Sequence, residues 1–328
     1  GVGKWGGIDG VASTPVLQRG RTPKLVDHPD VFDEVVRAKL RDDLRAQIEP
    51  RRKDPWVLGW SLGNELAEIV TSAEIREVLK RPATPAKRAL IEHAVNAVHG
   101  GDVASAAKAW GVAAKSMDDL LGAIPNAPAQ DIESMRRFYA DRYYAFVYKT
   151  VKELDPDHLY FGFWIVPGWW ENEEDWQLIS SHCDVIGYDL YSFDFASPLL
   201  MRLICGSDKP ILCGEFSFPP FHGGERGYGV YSAAWARDDA EAGMMYRRFI
   251  EAAARHPLCV GAMWFHYRDQ PITGRGLGTH RDGLVDGEHY AFGVVDVTDR
   301  PKWALAERMR EANLAAARWR MSAASKHP

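Results

Sequence analysis

Apolar residues in this chain come in two rhythms, short unbroken runs and longer stretches with a helical period. One run, Pro55-Trp56-Val57-Leu58-Gly59-Trp60-Ser61-Leu62, ends at Gly63-Asn64-Glu65, and another, Pro210-Ile211-Leu212-Cys213, ends at Gly214-Glu215-Phe216. Further runs occupy Leu159–Val166, Cys183–Leu190 and Leu258–Tyr267, with a weaker one at Thr14–Gln18. Bounded by Pro and Gly and too short for ordinary helices, they read as strands covered on both faces, which favours a parallel sheet. Between them lie helical patterns. One begins in an acidic turn at Asp30, spaces Phe32, Val35, Val36, Leu40, Leu44 and Ile48 along a face, and stops near Pro50. Residues 72–125 are Ala-rich and cut by Pro82, Pro85, Gly100-Gly101 and Gly111, which predicts three short helices and no strand. Longer helices are expected at Asp131–Leu154, Ala234–Ala254 and Lys302–Trp319.

Strands alternating with helices predict the α/β class, and specifically a (β/α)8 TIM barrel in a single domain over residues 1–328, with residues 66–130 as a helical insertion after the fourth strand. Residues 1–30, rich in Gly, Pro and Arg, read as loop. Five clear strand–helix units and two weak ones fall short of eight. The expectation is therefore a barrel lacking its first strand–helix unit in this chain, completed by a missing amino-terminal segment or a second chain. An open sheet is the alternative. No internal repeat or low-complexity linker interrupts the pattern.

Composition narrows the partners. With 46% hydrophobic and 26% charged residues over 328 positions, the chain is of ordinary globular make-up. A formal charge of −5, with Lys and Arg interspersed among acids, offers no footprint for nucleic acid. No apolar stretch approaches the roughly 20 residues that cross a bilayer, so no membrane partner is expected. Residues 1–7 lack the charged-then-apolar pattern of a secretion signal, which leaves the compartment unknown. Cys183, Cys205, Cys213 and Cys259 have no metal-type spacing, and no cluster of His and Asp at strand ends suggests a metal or other cofactor.

The chemistry lies in the two glutamates. A charge at the carboxyl end of a buried strand needs a reason, and in strand–helix barrels catalytic groups sit at that end. Two carboxylates flanking a glycosidic bond are the minimum equipment for glycoside hydrolysis, so Glu65 and Glu215 are the candidate catalytic pair. Salt-bridged acids at a barrel mouth are the competing reading. The dipeptides alone are weak signals, since Asn-Glu recurs at Asn172-Glu173 and Gly-Glu at Gly224-Glu225 and Gly287-Glu288. Only the first pair stands at the ends of strand-like runs.

The chain resembles the carboxyl-terminal part of a retaining barrel glycosidase of clan A, and within that clan the beta-agarases of glycoside hydrolase family 50. The resemblance rests on Pro29-Asp30-Val31-Phe32-Asp33, Gly63-Asn64-Glu65-Leu66, Asp155-Pro156-Asp157-His158, Gly214-Glu215-Phe216, Trp264-Phe265, Asp269-Gln270-Pro271 and Gly293-Val294-Val295-Asp296. It implies Glu65 as acid/base, Glu215 as nucleophile, Asn64 as partner of the sugar 2-hydroxyl, Tyr191 as hydrogen-bond donor to the nucleophile, and Trp264 as a platform under the sugar. The implied substrate is a galactose-containing oligo- or polysaccharide, and a secreted or periplasmic location is in keeping with it. Two positions depart from the agarase pattern: Ser217 stands where a histidine is expected, and Phe163-Trp164 where an arginine-containing strand end is expected. Both would border the sugar, Trp164 in contact with it.

Other residues carry two readings each. Trp169 and Trp170 are sugar-stacking side chains or a packed loop lid. His222 reaches a hydroxyl or is an exposed loop histidine, while Asp269, Arg275 and Glu288 contact substrate or form a salt-bridged loop. Asp189 faces the pocket or accepts hydrogen bonds within the barrel. The rivals to the agarase-like reading are a beta-galactosidase or beta-glucanase of the same clan, and a non-catalytic carbohydrate-binding fragment.

Overall fold

The computed structural model describes residues 10–274 and 288–324. These cluster into two compact units, one of residues 10–163 and 174–184, the other of residues 164–173, 185–274 and 288–324.

In the first unit the strands β1 (Val16–Leu17), β2 (Gly59–Leu62) and β3 (Leu159–Tyr160) form a parallel sheet with β2 in the centre. Gly59 permits the β2–β3 approach, because a Cβ there would lie 2.2 Å from the Leu159 carbonyl oxygen. Helix α1 (Glu34–Ile48) starts where the Asp33 side chain accepts from the N–H groups of Val35 and Val36, and it buries Leu40, Leu44 and Ile48. Residues 72–122 form four helices rather than the expected three: α2 (Ser72–Lys80), α3 (Pro85–Ala97), α4 (Val103–Trp110) and α5 (Met117–Gly122). Each has its own side-chain cap, from Thr71, Thr84, Asp102 and Ser116, and the six-residue α5 is held by a capping box with Asp119. Helix α6 (Ala129–Leu154) buries Tyr139, Tyr143, Tyr144 and Phe146. Between β2 and the end of α6, Trp60 Nε1 donates to Asp155 Oδ2 at 2.8 Å. The strand expected over Leu159–Val166 stops at Tyr160, since Gly162 takes a φ of +71° and breaks the extended path. Helix α7 (Glu173–Ser181), absent from the sequence reading, turns Trp176 and Ile179 inward.

The second unit holds β4 (Ile186–Asp189), α8 (Pro198–Leu203), β5 (Ile211–Phe216), α9 (Asp239–Arg255), β6 (Cys259–Trp264) and α10 (Trp303–Ala324). The three strands are again parallel, in the order β4–β5–β6, and every residue of β5 is buried. Helix α8 was also unanticipated; Ser197 caps it and Pro198 opens it. Helix α9 begins five residues later than the expected Ala234, because Asp238 supplies the cap to Glu241 N–H. Gly243 lets α10 approach, as a Cβ would come within 2.9 Å of Arg308 Cβ, and Tyr246 donates to Asn313 Oδ1 at 2.8 Å across the same interface. Cys183, Cys213 and Cys259 are buried, while Cys205 is exposed. No helix among the described residues is long and apolar enough to cross a membrane.

Asp131, in the first turn of α6, ties the inserted helices to the first unit. Its buried Oδ2 accepts from Trp110 Nε1 at 2.5 Å and pairs with His99 Nε2 at 2.8 Å. Replacing it by Ala strands the indole N–H, and the expected loss is about 1–3 kcal/mol in a denaturant melt. Asp131→Asn, which keeps an acceptor for the indole, should lose less.

Candidate active site

The two candidate glutamates belong to different units, and each is positioned by its own strand end. Beyond β2 the chain turns at Gly63, with φ of +64°, its N–H bonded to the Leu17 carbonyl at 3.0 Å. A Cβ on Gly63 would sit 2.4 Å from Glu68 Oε1, so this turn is open only to glycine. Asn64 and Glu65 follow, both half-buried, and Glu65 opens a 3-10 turn, Glu65–Glu68, with φ of +54°. A non-glycine residue held at positive φ stores strain of order 1–3 kcal/mol and persists only where its surroundings fix it.

The same turn ends at Glu68, a residue without a periodic signal in the sequence. Its side chain is 2% exposed, Tyr143 donates a hydrogen bond to Oε2, Arg19 Nε stands 3.5 Å from Oε1, and Tyr144 donates to the Glu68 carbonyl at 3.0 Å. Burial raises the Glu68 carboxyl above its usual range, against the opposing pull of Arg19 and of the Tyr143 hydrogen bond. The one sequence signal was a charge directly before Ile69-Val70, in a stretch read as the start of the insertion.

On the second unit, β5 delivers Glu215. Tyr188 pairs with Cys213 but Asp189 pairs with Glu215, so Gly214 is an extra residue in the β4–β5 ladder. Such a bulge re-aims the side chain that follows it. Glu215 is 6% exposed, its carbonyl accepts from Leu190 N–H at 2.8 Å, and its Oε2 accepts from the Tyr191 hydroxyl at 2.5 Å. Burial first, then the Glu215 charge, hold the Tyr191 phenol far above its ordinary range, which keeps it a donor. The Tyr191 ring is enclosed by Tyr231, Phe265 and Phe292 at centroid distances of 5.3, 6.3 and 6.5 Å. Trp264 closes β6 opposite Phe216, half-buried, with Nε1 donating to the Phe292 carbonyl at 2.8 Å. The peptide between Phe265 and His266 is cis.

The remaining candidates are placed as follows. Trp164 is fully buried, whereas Trp169 is 57% exposed. Asp189, fully buried on β4, stands beside Glu215 in the ladder. His222 is half-buried with Nε2 3.5 Å from Asp239 Oδ1, and desolvation lowers its pKa. Asp269 is 4% exposed and tied down, accepting from Lys302 Nζ at 2.8 Å and Gly293 N–H at 2.7 Å, with burial raising its pKa. Glu288 accepts from Gln270 Nε2 at 2.6 Å. Arg275 lies outside the described residues. Of the two departures from the agarase pattern, Ser217 and Phe163 are both buried, like Trp164. The wall of Tyr231 and Phe292 carries no signal in the sequence, because it comes from loops with no periodic pattern, and Lys302, expected to open the last helix, shows its tie to Asp269 only in the fold.

The raised pKa of Glu68 has a sign that can be checked. The folded chain keeps a proton that the unfolded chain releases at its ordinary value of 4.5. This contribution to stability is thus fully present below that value and is lost as pH rises through the folded one. Glu68→Gln cannot titrate, so the Tm of the parent minus that of the variant should fall as pH rises from about 4 to about 8. A flat difference would refute the assignment.

Against known proteins, no family model matches the chain. Beta-agarase B of Vibrio sp. (strain JT0107) is 30% identical over 305 residues, which are 87% of this chain and 30% of that protein. Beta-agarase A of the same strain is 28% identical over 296 residues, 84% of this chain and 28% of that protein. The chain thus spans less than a third of the length of these curated relatives. A solved exo-beta-agarase superposes with a TM-score of 0.78 at 25% identity, covering 95% of this chain and 43% of that one. By sequence this chain is similar to these two beta-agarases, and by fold to the solved exo-beta-agarase.

Proposed function

We propose that the chain is the catalytic part of a retaining glycoside hydrolase that cleaves beta-glycosidic bonds in a galactose-containing polysaccharide or oligosaccharide, as its agarase relatives' names suggest. The observation that carries this reading is the buried Glu215 carboxylate at the end of β5, aimed by a bulge and held through Oε2 by a tyrosine that stays protonated. In the proposed double displacement Glu215 attacks the anomeric carbon, and Tyr191 keeps its carboxylate oriented. Glu65 gives its proton to the leaving oxygen and then takes one from the water that hydrolyses the glycosyl-enzyme. That mechanism requires the two carboxyl groups to stand roughly 5–5.5 Å apart. Asn64 would hold the sugar 2-hydroxyl and Trp264 would stack under the ring, with Trp164, Trp169, His222, Asp269 and Glu288 as further candidate substrate contacts.

The architecture we propose for this chemistry is a (β/α)8 barrel, with the helices between residues 66 and 130 as an insertion. A beta-galactosidase or beta-glucanase of the same clan is the second reading, favoured by Ser217 and by Phe163-Trp164 where the agarase pattern differs.

Hydrolysis of agar oligosaccharides, beta-glucan oligosaccharides and aryl beta-glycosides tests these readings together. Glu215→Gln should abolish turnover, and Glu65→Gln should reduce it by about 10²- to 10⁴-fold. NMR of the first-formed product should show the anomeric configuration of the substrate. Inversion would remove Glu215 from its role as nucleophile. Binding without turnover by the unmutated chain would mark it as a carbohydrate-binding fragment.

A further inference from the structure

Phe193 and Met244 stand 49% and 48% exposed on the second unit, beside a surface groove of about 500 Å³. Trp235 forms its wall, Phe193, Met244 and Met245 line it as well, and Arg237, Glu241 and Arg248 complete the lining. Phe193 meets Trp235 edge-on at 6.3 Å between ring centroids, and Trp235 rests against Phe221 at 5.2 Å. Large apolar side chains gathered in water around polar ones mark a binding surface, whereas single exposed ones need no explanation. The groove lies within the size range of small-ligand sites.

Its chemistry selects the occupant. An apolar partner would strip water from two guanidinium groups and a carboxylate with nothing to replace it. A sugar ring offers both matching faces, C–H groups for the aromatic wall and hydroxyls for charged hydrogen-bonding groups. Two of those groups are already ordered, because Glu241 Oε2 accepts from both the backbone N–H and the Nε of Arg237, at 2.7 and 3.0 Å. That pairing uses Oε2 and Nε, so a hydroxyl would meet Oε1 and the terminal guanidinium nitrogens. With one acid between two bases, the groove has no strong field, which suits an uncharged saccharide.

Position links the groove to the Glu215 strand end. Phe193 is two residues, at most about 7 Å of chain, past the Tyr191 that holds Glu215. Trp235 lies on the segment that continues from β5. The rings around Tyr191 are a separate set, so the groove is a second station and not part of the Glu215 pocket.

We propose that this groove is an accessory saccharide site, taking an uncharged hexose stretch of the polysaccharide away from the point of cleavage. The proposal rests on the glycoside-hydrolase reading above. Its test is retention of the Glu215→Gln chain on agarose beads and its retardation in agarose-containing native gels, where the ligand survives. Phe193→Ala and Arg248→Ala, both at exposed positions, should each weaken apparent affinity about 3- to 10-fold. With Glu215 restored, the ratio of polymer turnover to aryl-glycoside turnover should fall by a similar factor. Failure of the parent to bind agarose, or unchanged binding in both variants, would overturn the accessory site. A changed oligomeric state in Phe193→Ala would also do so, by giving the groove to a second copy. None of these outcomes touches the hydrolase reading, which stands or falls on whether Glu215→Gln abolishes aryl-glycoside turnover.

Discussion

A carboxylate taken out of water must find hydrogen-bond donors or take up a proton, and that requirement shapes both strand ends of this protein. In each unit a tyrosine answers it. Tyr143, from the long helix α6, donates to Glu68 behind the Glu65 corner, and Tyr191, from the segment after β4, donates to Glu215. Tyr143 is buried and Tyr191 half-buried, and both phenols are held protonated, so both are fixed donors at any ordinary pH. A phenol costs less to bury than an arginine or lysine, because it brings no charge of its own and its ring packs with other rings.

The surrounding packing follows from that choice. Tyr191 needs an aromatic enclosure, which Tyr231, Phe265 and Phe292 supply from three later stretches of chain. Those stretches are pinned in turn by Trp264 to the Phe292 carbonyl and by Lys302 to Asp269. In the first unit, the Tyr143 ring lies against His28, whose Nδ1 pairs with buried Glu74 at 2.7 Å. The loop before α1 is thereby drawn into the support of the corner. One orienting hydrogen bond on each unit is thus upheld by a network of packed and hydrogen-bonded side chains.

How much of this the sequence disclosed depended on whether the signal was periodic. The strands ending at Leu62, Asp189 and Phe216 were legible because strands covered on both faces are continuously apolar. The strand ending at Trp264 was legible as an apolar run too, but it is not covered on both faces, since Val260 is exposed. The short helices α5, α7 and α8 were not, for six to nine residues hold too few turns to display a face, and caps such as Ser116 and Ser197 are single-residue signals. Glu65 and Glu215 stood out as charges closing apolar runs. Glu68 did not, since nothing local separates a buried glutamate from a solvated one until Tyr143, 75 positions away, is seen to reach it. Asp269 was visible as a residue, but its engagement by Lys302 was not, which is why a single side chain admitted two readings.

The left-handed corner at residue 65 carries a consequence for the drift of this protein. Its backbone conformation suits glycine or asparagine, and a glutamate there works against the intrinsic preference of the chain. Substitutions that relax the corner would make the folded state more robust while removing the carboxyl group. Stability and chemistry are therefore opposed at this one position, and a search for hardier variants guided by folding alone would be drawn to discard the residue proposed to move the proton.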